Sequence, residues 1–111
     1  MARPAKEGLD YFPLDVDIEQ DDNFGLVVAT HGVAGIGIVI RLLMKIYKNS
    51  YFYKWEEREQ LSFPGNTGVD INQVNEVINT CLKWDFFDRN LFEKFNILTS
   101  HGIQIRYVEA T

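Results

Sequence analysis

The residues between 45 and 55, K-I-Y-K-N-S-Y-F-Y-K-W, place five aromatic rings among three lysines. Alternating cations and rings can neutralise phosphates and stack on bases. The same pattern also describes a strand whose rings enter a core while its flanking lysines stay in water. Here the second description is the better one. Tyr51 and Tyr53 share one side of an extended segment and Phe52 takes the other, so at least one side belongs to a core or an oligomer interface. The cations then divide between a helix face (Arg41, Lys45, Lys48, at i, i+4 and i+7) and the strand flanks (Lys54, Arg58). They make one phosphate-contact patch if helix and strand are neighbours, and an ordinary solvated face if they are not.

Other chemistry finds little support. The acids Asp15, Asp17, Glu19, Asp21 and Asp22 suggest a calcium loop. Such a loop needs glycine at its sixth position and glutamate at its twelfth. Counting from Asp15 gives Gln20 and Leu26, and from Asp17 gives Asp22 and Val28. Helix-start chemistry explains these acids instead. Cys81 sits on an apolar helical face, as an inert buried thiol does. His31 and His101 each precede a glycine at a helix boundary, where capping accounts for them. Two histidines and one cysteine far apart do not have zinc-site spacing. The run G-V-A-G-I-G has neither a preceding strand nor a following Lys-Ser/Thr, so it is no phosphate loop. No enzyme, metal or cofactor is expected.

These residues need elements to position them. A chain of 111 residues suggests one domain, long enough to bury a core without staples. No run of consecutive apolar residues reaches the ~18 of a membrane span, the start M-A-R-P-A-K-E-G-L-D lacks the apolar stretch of a leader, and the single cysteine excludes an internal disulfide. A cytoplasmic protein is the expectation. The net charge of −5 lies wholly in residues 1–32; residues 33–111 are neutral. That balance lacks the high pI of a strong nucleic-acid binder without forbidding contact by the neutral part.

Residues 1–18 read as an extended arm with apolar anchors at Leu9, Tyr11, Phe12, Leu14 and Val16. A helix is expected over 19–31, stopped by Gly32. The strongest periodicity covers 33–49, where Ile36, Val39, Ile40, Leu43, Ile46 and Tyr47 recur at three and four. Gly35 and Gly37 cost this helix about 1 kcal/mol each against alanine, which suggests close approach of another backbone. A strand at 51–53, a short helix at 55–63 and a turn through Pro64-Gly65 follow. Asp70 and Gln73 have capping-box spacing before a helix at 70–83, with Val74, Val77, Ile78, Cys81 and Leu82 as its apolar stripe. Phe86-Phe87 reads as a strand, 88–90 as the start of a loop and 96–99 as a returning strand. Ser100 caps a final helix. The predicted fold class is α+β, mainly α: a winged helix-turn-helix over 19–111, in which 86–88 pairs with 96–99 as a small hairpin wing.

The words K-E-G-L-D-Y-F-P-L-D (6–15), K-I-Y-K-N-S-Y-F-Y-K-W (45–55), L-F-E-K-F-N-I-L-T-S-H-G-I-Q (91–104) and R-Y (106–107) carry a family likeness. The chain resembles the N-terminal domain of uncharacterised phage and prophage proteins of the DnaD-like replication class. The resemblance spans nearly the whole chain. It implies a winged helix followed by a further, often charged, region, so that the chain would be the N-terminal piece of a longer protein. It also implies replication initiation, with DNA binding and self-association shared between domains, and it supplies no catalytic or ligand residue. One departure is visible: where relatives are richer in charge, helix 70–83 is rich in amides, with Asn72, Gln73 and Asn79 beside Glu76, Thr80 and Lys83. Amides can pair with adenine edges, but one lysine supplies little phosphate neutralisation.

The resulting expectation is a scaffold that self-associates and makes weak, sequence-tolerant DNA contact alongside replication proteins, with no membrane partner. The DNA candidates are Lys45, Lys48, Lys54, Gln73, Asn79, Lys83 and Lys94, with Arg89 beside Lys94 in the wing loop. The self-association candidates are Tyr11, Phe12 and Leu14 in the arm and Ile103, Ile105 and Tyr107 in the last helix. Two alternatives stay open: a protein-interaction module that never touches DNA, and a sequence-specific regulator reading bases through Gln73 and Asn79.

Overall fold

The computed structural model describes residues 9–110, without the side chains of Arg106, Tyr107, Glu109 and Ala110. Its spine is α1, Asp22–Lys48. The first acids do what the sequence suggested. A 3-10 turn at Ile18–Gln20 leads to Asp21, whose carboxylate accepts the Asn23 and Phe24 N–H groups at 3.0 and 2.9 Å. Such a cap is worth about 1 kcal/mol. The helix therefore begins three residues later than expected. Gly32 breaks it internally with φ 66° and ψ −152°, a left-handed backbone that side chains resist. The two helices read from sequence are thus two arms of one kinked element. The kink also explains Gly35, because a Cβ there would lie 2.6 Å from that of His31. Gly37 meets no such neighbour.

After α1 the chain reverses through Ser50 and Tyr51, both at positive φ (66° and 72°), into β1, Tyr53–Lys54. Next come α2, Glu57–Ser62, and α3, Ile71–Lys83. The Asp70 carboxylate caps α3 by accepting the Gln73 N–H at 2.8 Å. Val74, Val77, Ile78, Cys81 and Leu82 are buried along its apolar stripe, and α3 packs against α1. The last elements are α4, Arg89–Phe95, β2, Ile97–Leu98, and α5, His101–Ala110. Ser100 caps α5 as expected, its hydroxyl accepting the Ile103 N–H at 3.1 Å.

The class is mainly α with a small antiparallel sheet, but the sheet is not the predicted hairpin. β2 pairs with β1, Tyr53 opposite Leu98 and Lys54 opposite Ile97. Phe86-Phe87 is no strand, for a local reason. Asp85 takes φ 60°, and the N–H groups of Phe86 and Phe87 turn back to the Cys81 carbonyl at 2.8 and 3.2 Å. These donors close α3, so they are unavailable to a ladder. What survives of the predicted pairing is one bond, Asp88 N–H to the Thr99 carbonyl at 2.8 Å. The segment read as a loop folds as α4 because Asp88 caps it, accepting the Leu91 N–H at 2.9 Å, and left-handed Asn96 ends it.

The rings of the opening stretch alternate as a strand should. Tyr51, Tyr53 and Trp55 are buried and Phe52 is half-buried. Trp55 donates its indole N–H to Asn75 Oδ1 at 2.9 Å, which ties β1 to α3. It also stacks edge-on against Phe63 at 5.6 Å. These rings are core, not a base-stacking platform.

Candidate nucleic-acid and self-association surfaces

Burial of one face of α3 decides what its other face shows. Asn72, Glu76, Asn79 and Lys83 are exposed and recur at helical spacing, making one continuous row. Gln73 is half-buried at the edge of that row. Lys83 lies over the Trp84 ring, 5.1 Å from its centre. Thr80 is turned inward to His31: its hydroxyl donates to the Glu76 carbonyl at 3.0 Å, so His31 Nε2, 2.7 Å away, must be the donor to it. His31 therefore joins α1 to α3, a role that its position before a glycine does not show.

The predicted basic stripe on α1 is shorter than it reads. Arg41 is not on the solvent face. Its Nη2 donates to the Phe63 carbonyl at 2.6 Å and its guanidinium lies 4.3 Å over the Phe63 ring. It thereby pins the α2–α3 connection to α1. Lys45 and Lys48 remain exposed at the end of α1, with Lys54 and Arg58 exposed beyond them. Lys94 is exposed too, on α4 rather than in a wing loop. Among the described residues one ion pair forms, Arg89 with Asp85 at 3.5 Å, so none of these five cations is neutralised by an acid among the described residues.

The arm folds back along its own domain. Leu9 N–H donates to the Tyr47 carbonyl at 2.9 Å, and Phe12 stacks on Tyr47 with ring centres 4.9 Å apart and planes 6° from parallel. Beneath it is a cavity of about 170 Å³ whose walls include Phe12, Leu14, Leu43, Tyr47, Phe86 and Ile103. Two candidate self-association segments, the arm and α5, thus meet at one place. Phe12 and Ile103 are turned into it, Leu14 lines it while staying partly exposed, and Tyr11 (86 % exposed) and Ile105 face outward. The Tyr107 side chain lies outside the described residues.

Cys81 is buried, and burial pushes its thiol up to about 12. Among the described residues no three His, Cys, Asp or Glu side chains assemble as a metal ligand set. By length and composition α1 is apolar enough to cross a membrane, with mean hydropathy 2.0. That stretch combines apolar residues with glycines and few charges, which a search for an unbroken apolar run misses. In the structure its buried face is the core on which α3 packs.

Sequence reasoning missed a second concavity. It lies between the 49–54 turn and α2 and holds about 270 Å³, lined by Asn49, Ser50, Phe52, Tyr53, Lys54 and Glu59. Burial, then the Glu59 carboxylate, raise the Tyr53 phenol above its ordinary value, and the Arg41 charge partly offsets them. No local pattern joins Glu59 to Tyr53; the turn of the chain into α2 does.

The family model described as Lin1244/Lin1753-like, N-terminal, matches residues 11–103. A protein of Listeria innocua described as uncharacterized phage-related protein Lin1244/Lin1753 is 56 % identical over 110 residues, which are 99 % of this chain and 36 % of that protein. The chain thus spans about a third of the length of the relative it matches. No solved structure matches the chain. With the family model covering most of the chain and the relative aligned over nearly all of it, the chain belongs to the Lin1244/Lin1753-like N-terminal family.

Proposed function

We propose that this domain is a winged-helix-type module of a phage DNA replication protein, acting in the cytoplasm by binding rather than catalysis. It self-associates, makes weak, sequence-tolerant contact with duplex DNA, and so helps to assemble replication proteins. One observation carries the DNA reading: α3 buries one face and offers the other, with Asn79 and Lys83, to solvent, while Lys45, Lys48, Lys54 and Lys94 stand exposed without acidic partners among the described residues. The element order supports it, since a helix–strand–helix–helix run closes by a strand returning antiparallel to the first. Here α4 takes the place of the wing loop. The net charge of −5 keeps the affinity low, because phosphate neutralisation supplies most of it.

Fluorescence anisotropy with two unrelated duplexes across a salt series tests this. The expected result is similar affinity for both duplexes and a linear fall of log K with log salt, shallower by about one unit for each phosphate-contacting lysine replaced by alanine among Lys45, Lys48, Lys54, Lys83 and Lys94. No binding at low salt refutes it in favour of a pure protein-interaction module. That second reading has its own observation, the exposed apolar residues Tyr11 and Leu14 of the arm and Ile105 of α5. A strong duplex preference lost on Gln73→Ala and Asn79→Ala indicates a sequence-specific regulator instead.

A further inference from the structure

The concavity beside β1 is left unused by this reading, and its polar groups are incompletely paired. Tyr53 is 9 % exposed, yet its hydroxyl meets no hydrogen-bond partner among the described residues. Behind it, Arg41 shares the Phe63 ring with Tyr53, whose ring centre lies 6.3 Å from that of Phe63. Arg41 Nη1 is buried and also unpaired. Among the described residues Arg41 Nη1 is the one buried side-chain polar atom without a partner, whereas the Tyr53 hydroxyl, in the lining of the concavity, is still reached by solvent and free to donate to a ligand.

The walls define what that is. Asn49 gives one amide hydrogen to the Lys45 carbonyl at 2.7 Å and keeps the other, so the donors in the lining are the Asn49 amide, the Ser50 and Tyr53 hydroxyls and the Lys54 ammonium. The charged acceptor in the lining is Glu59. One of its oxygens takes the Glu56 N–H at 3.1 Å, which leaves the other for a ligand donor. Phe52 adds an apolar side. Hydroxyl and ammonium donors around one concavity suit an anion. A carboxylate in the same lining opposes a naked phosphate but accepts a hydroxyl. The volume exceeds what an inorganic anion fills and suits a sugar-phosphate unit.

We propose that the concavity formed by Ser50, Phe52, Tyr53, Lys54 and Glu59 binds the phosphoryl group and a hydroxyl of a nucleotide unit. Lys54, Tyr53 and Ser50 hold the phosphoryl oxygens, Glu59 takes the hydroxyl, and Arg41 supplies background positive charge. The nucleotide has two sources, a free nucleoside monophosphate or a strand end of bound DNA. Only the second rests on the DNA-contact reading given above.

Isothermal titration of the protein with deoxyadenosine 5′-monophosphate, deoxyadenosine and inorganic phosphate tests it. Saturable binding of the monophosphate at millimolar concentration or below is expected, tighter than either fragment. Tyr53→Phe keeps the ring in the core and removes the hydroxyl, and should weaken binding by about tenfold. Lys54→Ala changes an exposed side chain and should weaken it similarly, so misfolding does not explain both. Competition by duplex ends identifies DNA as the source, and no competition identifies the free nucleotide; either result supports the site. Failure of duplex binding with monophosphate binding intact defeats the DNA reading alone. Absence of saturable monophosphate binding, equal binding of deoxyadenosine, or unchanged affinity in both variants overturns the proposal.

Discussion

Replacing Thr99 by valine tests the junction that stands where a hairpin wing was expected. Thr99 is fully buried, and its hydroxyl joins three elements. It donates to the Tyr51 carbonyl at 2.9 Å and accepts from Gln104 Nε2 at 2.9 Å, while Gln104 also donates to Tyr51 at 3.0 Å. The triangle holds Tyr51 at φ 72°, ties β2 to the turn before β1, and docks α5 on both. Valine keeps the volume and loses both bonds. Each such bond contributes about 0.5–1.5 kcal/mol net, so the loss should total about 1–3 kcal/mol. Tyr51 retains its bond from Gln104, which keeps the cost from exceeding that range. Urea unfolding should show a lower midpoint with an unchanged slope, and thermal unfolding a drop of about 4 °C per kcal/mol. A Thr99→Val, Gln104→Leu cycle should show coupling of about 1 kcal/mol, because the two side chains share a bond. A change below about 0.5 kcal/mol, or strict additivity in the cycle, would mean that this triangle does not hold α5 in place.

Arg41→Met removes the bond to Phe63 and the stacked guanidinium while keeping the aliphatic stem; it should cost about 1–3 kcal/mol in urea unfolding, far more than Lys45→Met on the same helix. Gly32→Ala meets no atom within 4 Å, so its cost is conformational alone; calorimetry should find about 1–2 kcal/mol lost to the left-handed backbone. Cys81, with its thiol pushed up to about 12, should resist thiol reagents at pH 8 until the domain unfolds, so that labelling rate follows added urea. The pH dependence has a definite sign. Cys81 and Tyr53 both hold their protons more tightly folded than unfolded, so their contribution is complete below the unfolded values and falls as pH rises from about 9 toward 12. Unfolding free energy that is flat across that window would contradict the burial of both groups.

Much of the fold was legible because it follows from local rules. The three-and-four periodicity of 33–49 and 70–83, the Asp70 cap, the Gly32 break and the Ser100 cap each depend on residues within one or two turns. The burial of Tyr51, Tyr53 and Trp55 followed from alternation. The wing failed because Phe86-Phe87 has strand composition, but its N–H groups are claimed by the end of α3. The cap of α4 was readable in principle, since Asp88 stands before Leu91 and Phe92 at helical spacing. Arg41 was misplaced for a different reason. Spacing put it in line with Lys45 and Lys48, and only the return of Phe63 across α1 turned it inward.

The sequence by itself therefore determined the long helices, the Asp70 and Ser100 caps, the aromatic core strand and the likeness to uncharacterised phage proteins, all of which rest on near neighbours or on residue identity. The tertiary structure alone decided that β1 takes β2 as its partner and that Arg41 faces inward. It alone brought the arm and α5 to one cavity, and Tyr53 and Glu59 to another. Those facts depend on contacts between residues far apart along the chain, whose geometry is set by how α1, α3 and the two short strands fill one core.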